Sequence, residues 1–223
     1  MSYTSHADLG GQRGHGAIVP EPEGELWHAA WEPRVMALTV AMGATGSWNI
    51  DMSRRARETL PDYSRRSYYE IWFAALQKLL IERRIVRRAE LRRGRSLDPP
   101  LPLARVLRAA QVESALARGS PTLRPVAAPA KFEIGNRVRT LDHKATHHTR
   151  LPGYVRGKVG IVEQVLGTHV FADTHAHGLG EQVQWLYTVV FDAAQVWPDE
   201  PAAAHRVSVD AWEPYLQASE DAA

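Results

Sequence analysis

The sequence contains no cysteine. That absence excludes disulfides, thiolate zinc sites, iron–sulfur clusters and a cysteine nucleophile supplied by this chain. Long apolar runs are missing too. The longest, residues 35–42 and 71–76, fall far short of the roughly 20 residues that span a bilayer, and both sit inside amphipathic patterns. The first eight residues hold neither a basic nor an apolar signal region, so a soluble, unexported, cytoplasmic protein is the expectation. No G-x-x-x-x-G-K-[ST], no G-x-G-x-x-G after a strand pattern and no recognisable Ser-His-Asp arrangement occurs. The net charge is only +2, which argues against a large one-signed field.

What is present is an ordinary globular composition, 44% hydrophobic and 23% charged, in 223 residues. Such a chain can bury a real core, as one domain or two small ones. Residues 1–24 are rich in Gly, His and Pro and too poor in apolar side chains for a core of their own. They read as a tail or an extended arm. Residues 25–93 read as a helical domain. Trp27, Trp31, Val35, Leu38 and Met42 recur at helical spacing, and Gly43 and Gly46 end that helix. Asn49 or Asp51 caps a second helix that Pro61 stops. A third starts near Ser67 and carries Trp72, Leu76, Leu79 and Leu80 on one side. Residues 94–130 are punctuated by proline and read as a linker with one helix inside it, over 103–117. Residues 131–223 alternate as short strands, strongest at 138–141, 159–165, 185–191 and 206–210. The fold class is α+β, closing in a small antiparallel barrel.

Three groups of residues invite functional readings. Arginines crowd residues 83–95, but without aromatic interleaving they read as a solvated face, not a nucleic-acid site. Asp173, His175 and His177, with His143, His147 and His148, have metal-ligand spacing. Their glycine-flanked setting favours a polar surface loop. Arg54 and Arg150, taken singly, read as surface ion-pair partners. Each still offers a planar fork suited to paired oxygens. At this level the chain is either a binding partner or half of an enzyme.

Longer motifs go further. His148-Thr-Arg150-Leu-Pro152-Gly-Tyr154-Val-Arg156-Gly-Lys158-Val-Gly160 resembles the nitrile hydratase β-subunit family. So do Gly178-Leu-Gly180-Glu, Leu186-Tyr-Thr-Val-Val-Phe191 with Ala194-Gln-Val-Trp197, and Asp210-Ala-Trp212-Glu-Pro-Tyr215-Leu. The N-terminal half agrees, through Asp8-Leu-Gly-Gly11, Trp31-Glu32, Asp51-Met-Ser-Arg54 and Ser67-Tyr68-Tyr69 with Trp72. Residues 94–130 carry little of the likeness.

The resemblance implies an extended arm, a helical domain and an SH3-like barrel. It implies an α-subunit partner, in an αβ heterodimer or an α2β2 assembly, that holds the cobalt or iron ion. No metal or cofactor is then bound by this chain alone. The β subunit donates two arginines to oxygens on the partner's oxidised cysteine ligands, and these map to Arg54 and Arg150. Tyr68 matches the family's pocket tyrosine. Ile50, Ser53 and Trp72 fall where the family lines its pocket for a small nitrile substrate. Ser53 is smaller than the bulky residue of some relatives, and Thr39 and Gly43 stand where relatives place aromatics. The related thiocyanate hydrolase divides the β-like part into two chains, and accessory proteins of the family resemble mainly the helical half. Both halves in one chain favour the hydratase.

Overall fold

A computed structural model describes residues 3–142, 144–199 and 205–219. The chain forms two compact units, one built mainly from residues 14–120 and the other mainly from 121 onward.

The first unit is helical. Helix α1 spans Glu32–Gly43, five residues later than the apolar spacing from Trp27 predicts. Two features set that start. Pro33 lies in the first turn, where its missing N–H costs nothing. The His28 N–H is held by the Glu32 carboxylate at 2.8 Å, which closes residues 28–31 as a turn. Trp31 and Leu38 stay exposed, and Val35 is buried.

Helix α2, Ile50–Glu58, is capped by Asn49, whose side chain accepts from the Met52 N–H at 2.8 Å. Helix α3, Tyr68–Glu82, opens with a capping box in which Ser67 and Glu70 satisfy each other's backbone N–H groups. Trp48, Met52 and Ala56 pack on Ala75, Leu76 and Leu79. Burial of a leucine of this kind contributes about 1.5–3 kcal/mol, enough for Leu76 and Leu79 to fix how α3 faces α2.

Helix α4, Arg88–Arg93, ends at Gly94 in the left-handed conformation. The basic run is not uniform there. Glu90 accepts from the N–H groups of Arg87, Leu97 and Asp98, and these bonds hold its carboxyl down at about 2. Helix α5 covers only Val112–Arg118, after a single 3-10 turn at Ala109–Gln111. The helix expected over 103–117 is therefore shorter. Arg108 is extended, and its N–H donates to the Gln111 side chain, which starts helical structure only after it.

The second unit is a six-stranded antiparallel sheet. Its strands are β1 (Leu123–Arg124), β2 (Arg137–Thr140), β3 (Val159–His169), β4 (Gln184–Asp192), β5 (Arg206–Trp212) and β6 (Leu216–Ala218). The order is β5-β4-β3-β2-β6, with β1 beside β3. Among the described residues no pairing joins β5 to β6, so the sheet is open. Tyr187, Val189 and Phe191 alternate into the core against Val138, Val155, Val162 and Val209. Register shifts after Val162 and Val165 bend β3. Gly160 is needed for close approach: a Cβ there would lie 2.6 Å from Val189 and 2.8 Å from the Val190 carbonyl oxygen. Two one-turn helices, α6 (Ala172–His175) and α7 (Ala193–Val196), follow β3 and β4.

The start of the chain belongs partly to this unit. Asp8 accepts from the Gly153 N–H at 2.9 Å and from Arg156 at 3.0 Å. A Cβ on Gly10 would meet Tyr154, and one on Gly11 would meet Trp197, so this segment lies flat on aromatic rings.

Candidate functional site

Helix α2 carries Ile50, Ser53, Arg54 and Arg57 at spacings of three, four and seven, which share one helix face. Arg54 donates from Nη1 to Asp51 Oδ1 at 2.9 Å. The Asp51 side chain is 4% exposed and the Arg54 side chain 41%. An inner carboxylate thus holds an outer guanidinium by one of its N–H groups and leaves the rest of the fork for paired oxygens.

Tyr68 begins α3 and is exposed, with its ring 5.5 Å from that of Trp72, one turn on. Ser53 is buried and accepts from Arg57 Nη2 at 3.0 Å. The Arg57 guanidinium lies 4.4 Å above the Trp72 ring. Ser53, Arg57, Trp72 and Tyr68 therefore form one chain of contacts, and Ile50 shares the α2 face of Ser53 and Arg57 and is exposed. Burial lowers the Arg57 pKa. Tyr68 opposes that shift and Arg54 adds to it. A guanidinium keeps its proton nonetheless.

Arg150 belongs to the sheet unit, in the loop before β3. Its side chain is exposed, but its backbone is anchored. The Arg150 N–H donates to the Tyr215 hydroxyl at 3.0 Å, and that hydroxyl donates to Asp173 Oδ1. His147 Nδ1 lies 3.8 Å from Asp173 Oδ2. Asp173 is 4% exposed, and burial pushes its carboxyl up to about 6. The Tyr215 hydroxyl, His147 and Arg150 pull the other way. Burial raises the Tyr215 pKa as well, and the Asp173 charge adds to that, so the phenol stays protonated as a donor. A cavity of about 200 Å³ opens here, lined by His147, Thr149, Arg156, Phe171, Asp173 and Tyr215 among others. In the same loop His148 is fully buried, its Nδ1 3.2 Å from the Tyr3 hydroxyl.

The histidine reading is not supported by this geometry. Asp173 is engaged by Tyr215, and His177 Nε2 accepts from the His148 N–H at 3.2 Å. His175 ends a one-turn helix and His177 lies beyond that helix. Among the described residues no group of three His, Asp or Glu is placed to hold a metal. His143 lies outside them.

Two residues that contact these side chains or their backbone, Arg57 and Tyr215, were not singled out in the sequence. Arg57 was legible as the seventh residue after Ile50 and the fourth after Ser53. Tyr215 was not, because nothing in the local sequence says that its hydroxyl reaches a loop 65 residues away.

Two family models match the two halves of the chain, and full-length relatives match across both. A model described as the nitrile hydratase β subunit, N-terminal, matches residues 3–112, and the corresponding C-terminal model matches residues 121–218. The chain is 38% identical over 219 residues to the β subunit of a low-molecular-weight cobalt-containing nitrile hydratase from Rhodococcus rhodochrous, covering 94% of this chain and 96% of that one. It is 34% identical over 213 residues to a nitrile hydratase β subunit from Pseudomonas putida, at 94% and 97% coverage. The thiocyanate hydrolase α subunit of Thiobacillus thioparus is similar over only 33% of this chain, at 34% identity. The chain belongs to the nitrile hydratase β-subunit family.

Proposed function

We propose that this chain is the β half of an αβ enzyme that hydrates small nitriles to amides, with cobalt or iron held by the α partner. The observation that carries the reading is Arg54, held from behind by the buried Asp51 carboxylate in the family's Asp-Met-Ser-Arg motif. Two of the relatives are named as cobalt-containing nitrile hydratase β subunits. Within this chain no described cluster suits a metal, and there is no cysteine to supply soft ligands.

The metal supplies Lewis-acid activation when the partner brings it. The work of this chain is different. Arg54 and Arg150 each present a fork of donors to sulfur oxygens on the partner's oxidised cysteines. Such anions, buried at an interface without donors, cost several kcal/mol. Arginine fits because it stays charged and binds paired oxygens, whereas lysine offers a point charge. Tyr68 donates from the rim, and Ile50, Ser53 and Trp72 line the nitrile pocket and exclude bulk water.

The open sheet of the second unit is read as the family's SH3-like barrel, and the assembly as αβ or α2β2. No helix among the described residues is long and apolar enough to cross a membrane, and the proposed home is the cytoplasm. Both family halves occur in one chain, which favours this reading over a thiocyanate hydrolase-like subunit or an accessory protein.

Arg54→Lys and Arg150→Lys, made in the assembled complex, test the site. Each is expected to lower kcat at least tenfold, a loss of about 1.4 kcal/mol of transition-state stabilisation, while the complex still assembles. Full activity in both variants overturns the assignment.

A further inference from the structure

The guanidinium of Arg57 has an unusual setting. Every other arginine of α2 is paired with a carboxylate, Arg54 with Asp51 and Arg55 with Glu82. Arg57 makes no ion pair among the described residues, and the neighbouring Glu58 carboxylate attracts it only from beyond ion-pair distance. Its neighbours are the Ser53 hydroxyl at 3.0 Å and the face of Trp72 at 4.4 Å. Its Nε, like that of Arg55, is buried without a hydrogen-bond partner, so the donors it offers a ligand are those of its Nη groups. A guanidinium carries five N–H donors, and here one of them is used. The indole face compensates part of the charge but accepts no in-plane N–H bond.

Both residues that hold Arg57 belong to the proposed nitrile pocket. The Trp72 ring lies against the guanidinium and Ser53 holds one edge. The rest is a cation with unspent donors beside side chains assigned to substrate. An apolar pocket sorts nitriles by size, and one methylene is worth only a modest factor. A pocket with a fixed, underused donor sorts them by polarity, because a ligand without an acceptor leaves that donor unpaired.

We propose that Arg57 is a specificity-determining residue of this pocket. It selects nitriles that carry a hydrogen-bond acceptor away from the C≡N group, such as a ring nitrogen or a carbonyl or ether oxygen, over apolar nitriles of the same shape. The inference rests on the reading that Ser53, Tyr68 and Trp72 line the pocket. It adds the substrate class, and it assigns no step of the hydration to Arg57.

The test uses the assembled αβ enzyme and two aromatic nitriles of one shape, a cyanopyridine with its ring nitrogen meta to the nitrile, and benzonitrile. Their intrinsic reactivities differ, so the readout is the ratio of their kcat/KM values compared between variants. Arg57→Met keeps the stem over Trp72 and removes the donors. It is expected to lower the cyanopyridine-to-benzonitrile ratio about tenfold, mostly by raising KM for the cyanopyridine. Arg57→Lys keeps the charge and loses the fork, and is expected to lower the ratio at least about threefold. It carries the test alone if the Met variant does not assemble. Trp72→Ala is the control for the pocket and is expected to raise KM for both nitriles. A ratio unchanged within about twofold, with Trp72→Ala raising both KM values, overturns the role of Arg57 and leaves the pocket standing. KM values unmoved by Trp72→Ala overturn the pocket reading and this inference with it.

Discussion

Asp173 gives the sharpest physical prediction. Its side chain is 4% exposed, and burial lifts its carboxyl from an ordinary 3.8 to about 6. That value is already a net one, since the Tyr215 hydroxyl, His147 and Arg150 all favour the charged form and burial still outweighs them. A folded-state pKa above the unfolded one means that the folded chain binds the proton more tightly. Stability from this group is therefore fully present below about pH 4 and is lost as pH rises through about 6. The shift of roughly two units corresponds to about 3 kcal/mol, at 1.36 kcal/mol per unit.

Asp173→Asn keeps an oxygen acceptor for Tyr215 and removes the titration. Near pH 4 both proteins hold a neutral side chain at 173, so their stabilities are expected to be similar. By pH 7 the variant is expected to be the more stable by up to about 3 kcal/mol. Equilibrium urea unfolding of the complex at fixed concentration, followed by tryptophan fluorescence at pH 4 to 7.5, measures the difference between the two curves. Groups shifted the other way, such as Glu90 and Glu181, lose stability as pH falls and cancel in that difference. Parallel curves across the window would refute the claim that Asp173 is held in a desolvated site.

Gly160→Ala would place a Cβ against Val189, the Val190 carbonyl and Phe191, two of them side chains buried in the sheet core. It is expected to cost about 1–3 kcal/mol or more, read as a lowered Tm, and an unchanged Tm would show that β3 can move aside. Asp8→Ala removes the acceptor for the Gly153 N–H and for Arg156. It is expected to cost about 1–3 kcal/mol locally and to speed hydrogen exchange at the Gly153 amide, and unaltered exchange there would mean that the N-terminal segment is not anchored through Asp8.

Much of this fold was legible because its signals are local. Asn49 and Ser67 announce helix starts, and their side chains cap as their identities suggest. Tyr187, Val189 and Phe191 alternate along β4 and form its core-facing side. Failures came where the deciding partner is distant or the signal too short. β1 and β6 have two and three residues, too few to alternate, and exist because β3 and β2 supply their hydrogen bonds. The apolar spacing from Trp27 is real, yet periodicity cannot say where a helix begins once Pro33 and a Glu32 turn intervene. Nor does it say whether a face is covered, and Leu38 lies on that spacing and is 46% exposed.

The site divides in the same way. Arg54 and Arg150 could be named from motifs, but what makes an arginine useful is how it is restrained, and restraint is a three-dimensional property. Arg54 is held by a carboxylate one turn earlier on its own helix, so sequence spacing contains the answer. Arg57 is held by Ser53 on its own helix and by Trp72 on another, and only the first half can be read along the chain. Arg150 is held through its backbone by a tyrosine from the end of the sheet, itself bonded to a buried aspartate. None of these anchors needs sulfur. On the proposed function, a chain without cysteine still serves a partner's sulfur oxygens by supplying restrained N–H donors, and the restraint comes from Asp51 on the Arg54 side chain and from Tyr215 on the Arg150 backbone.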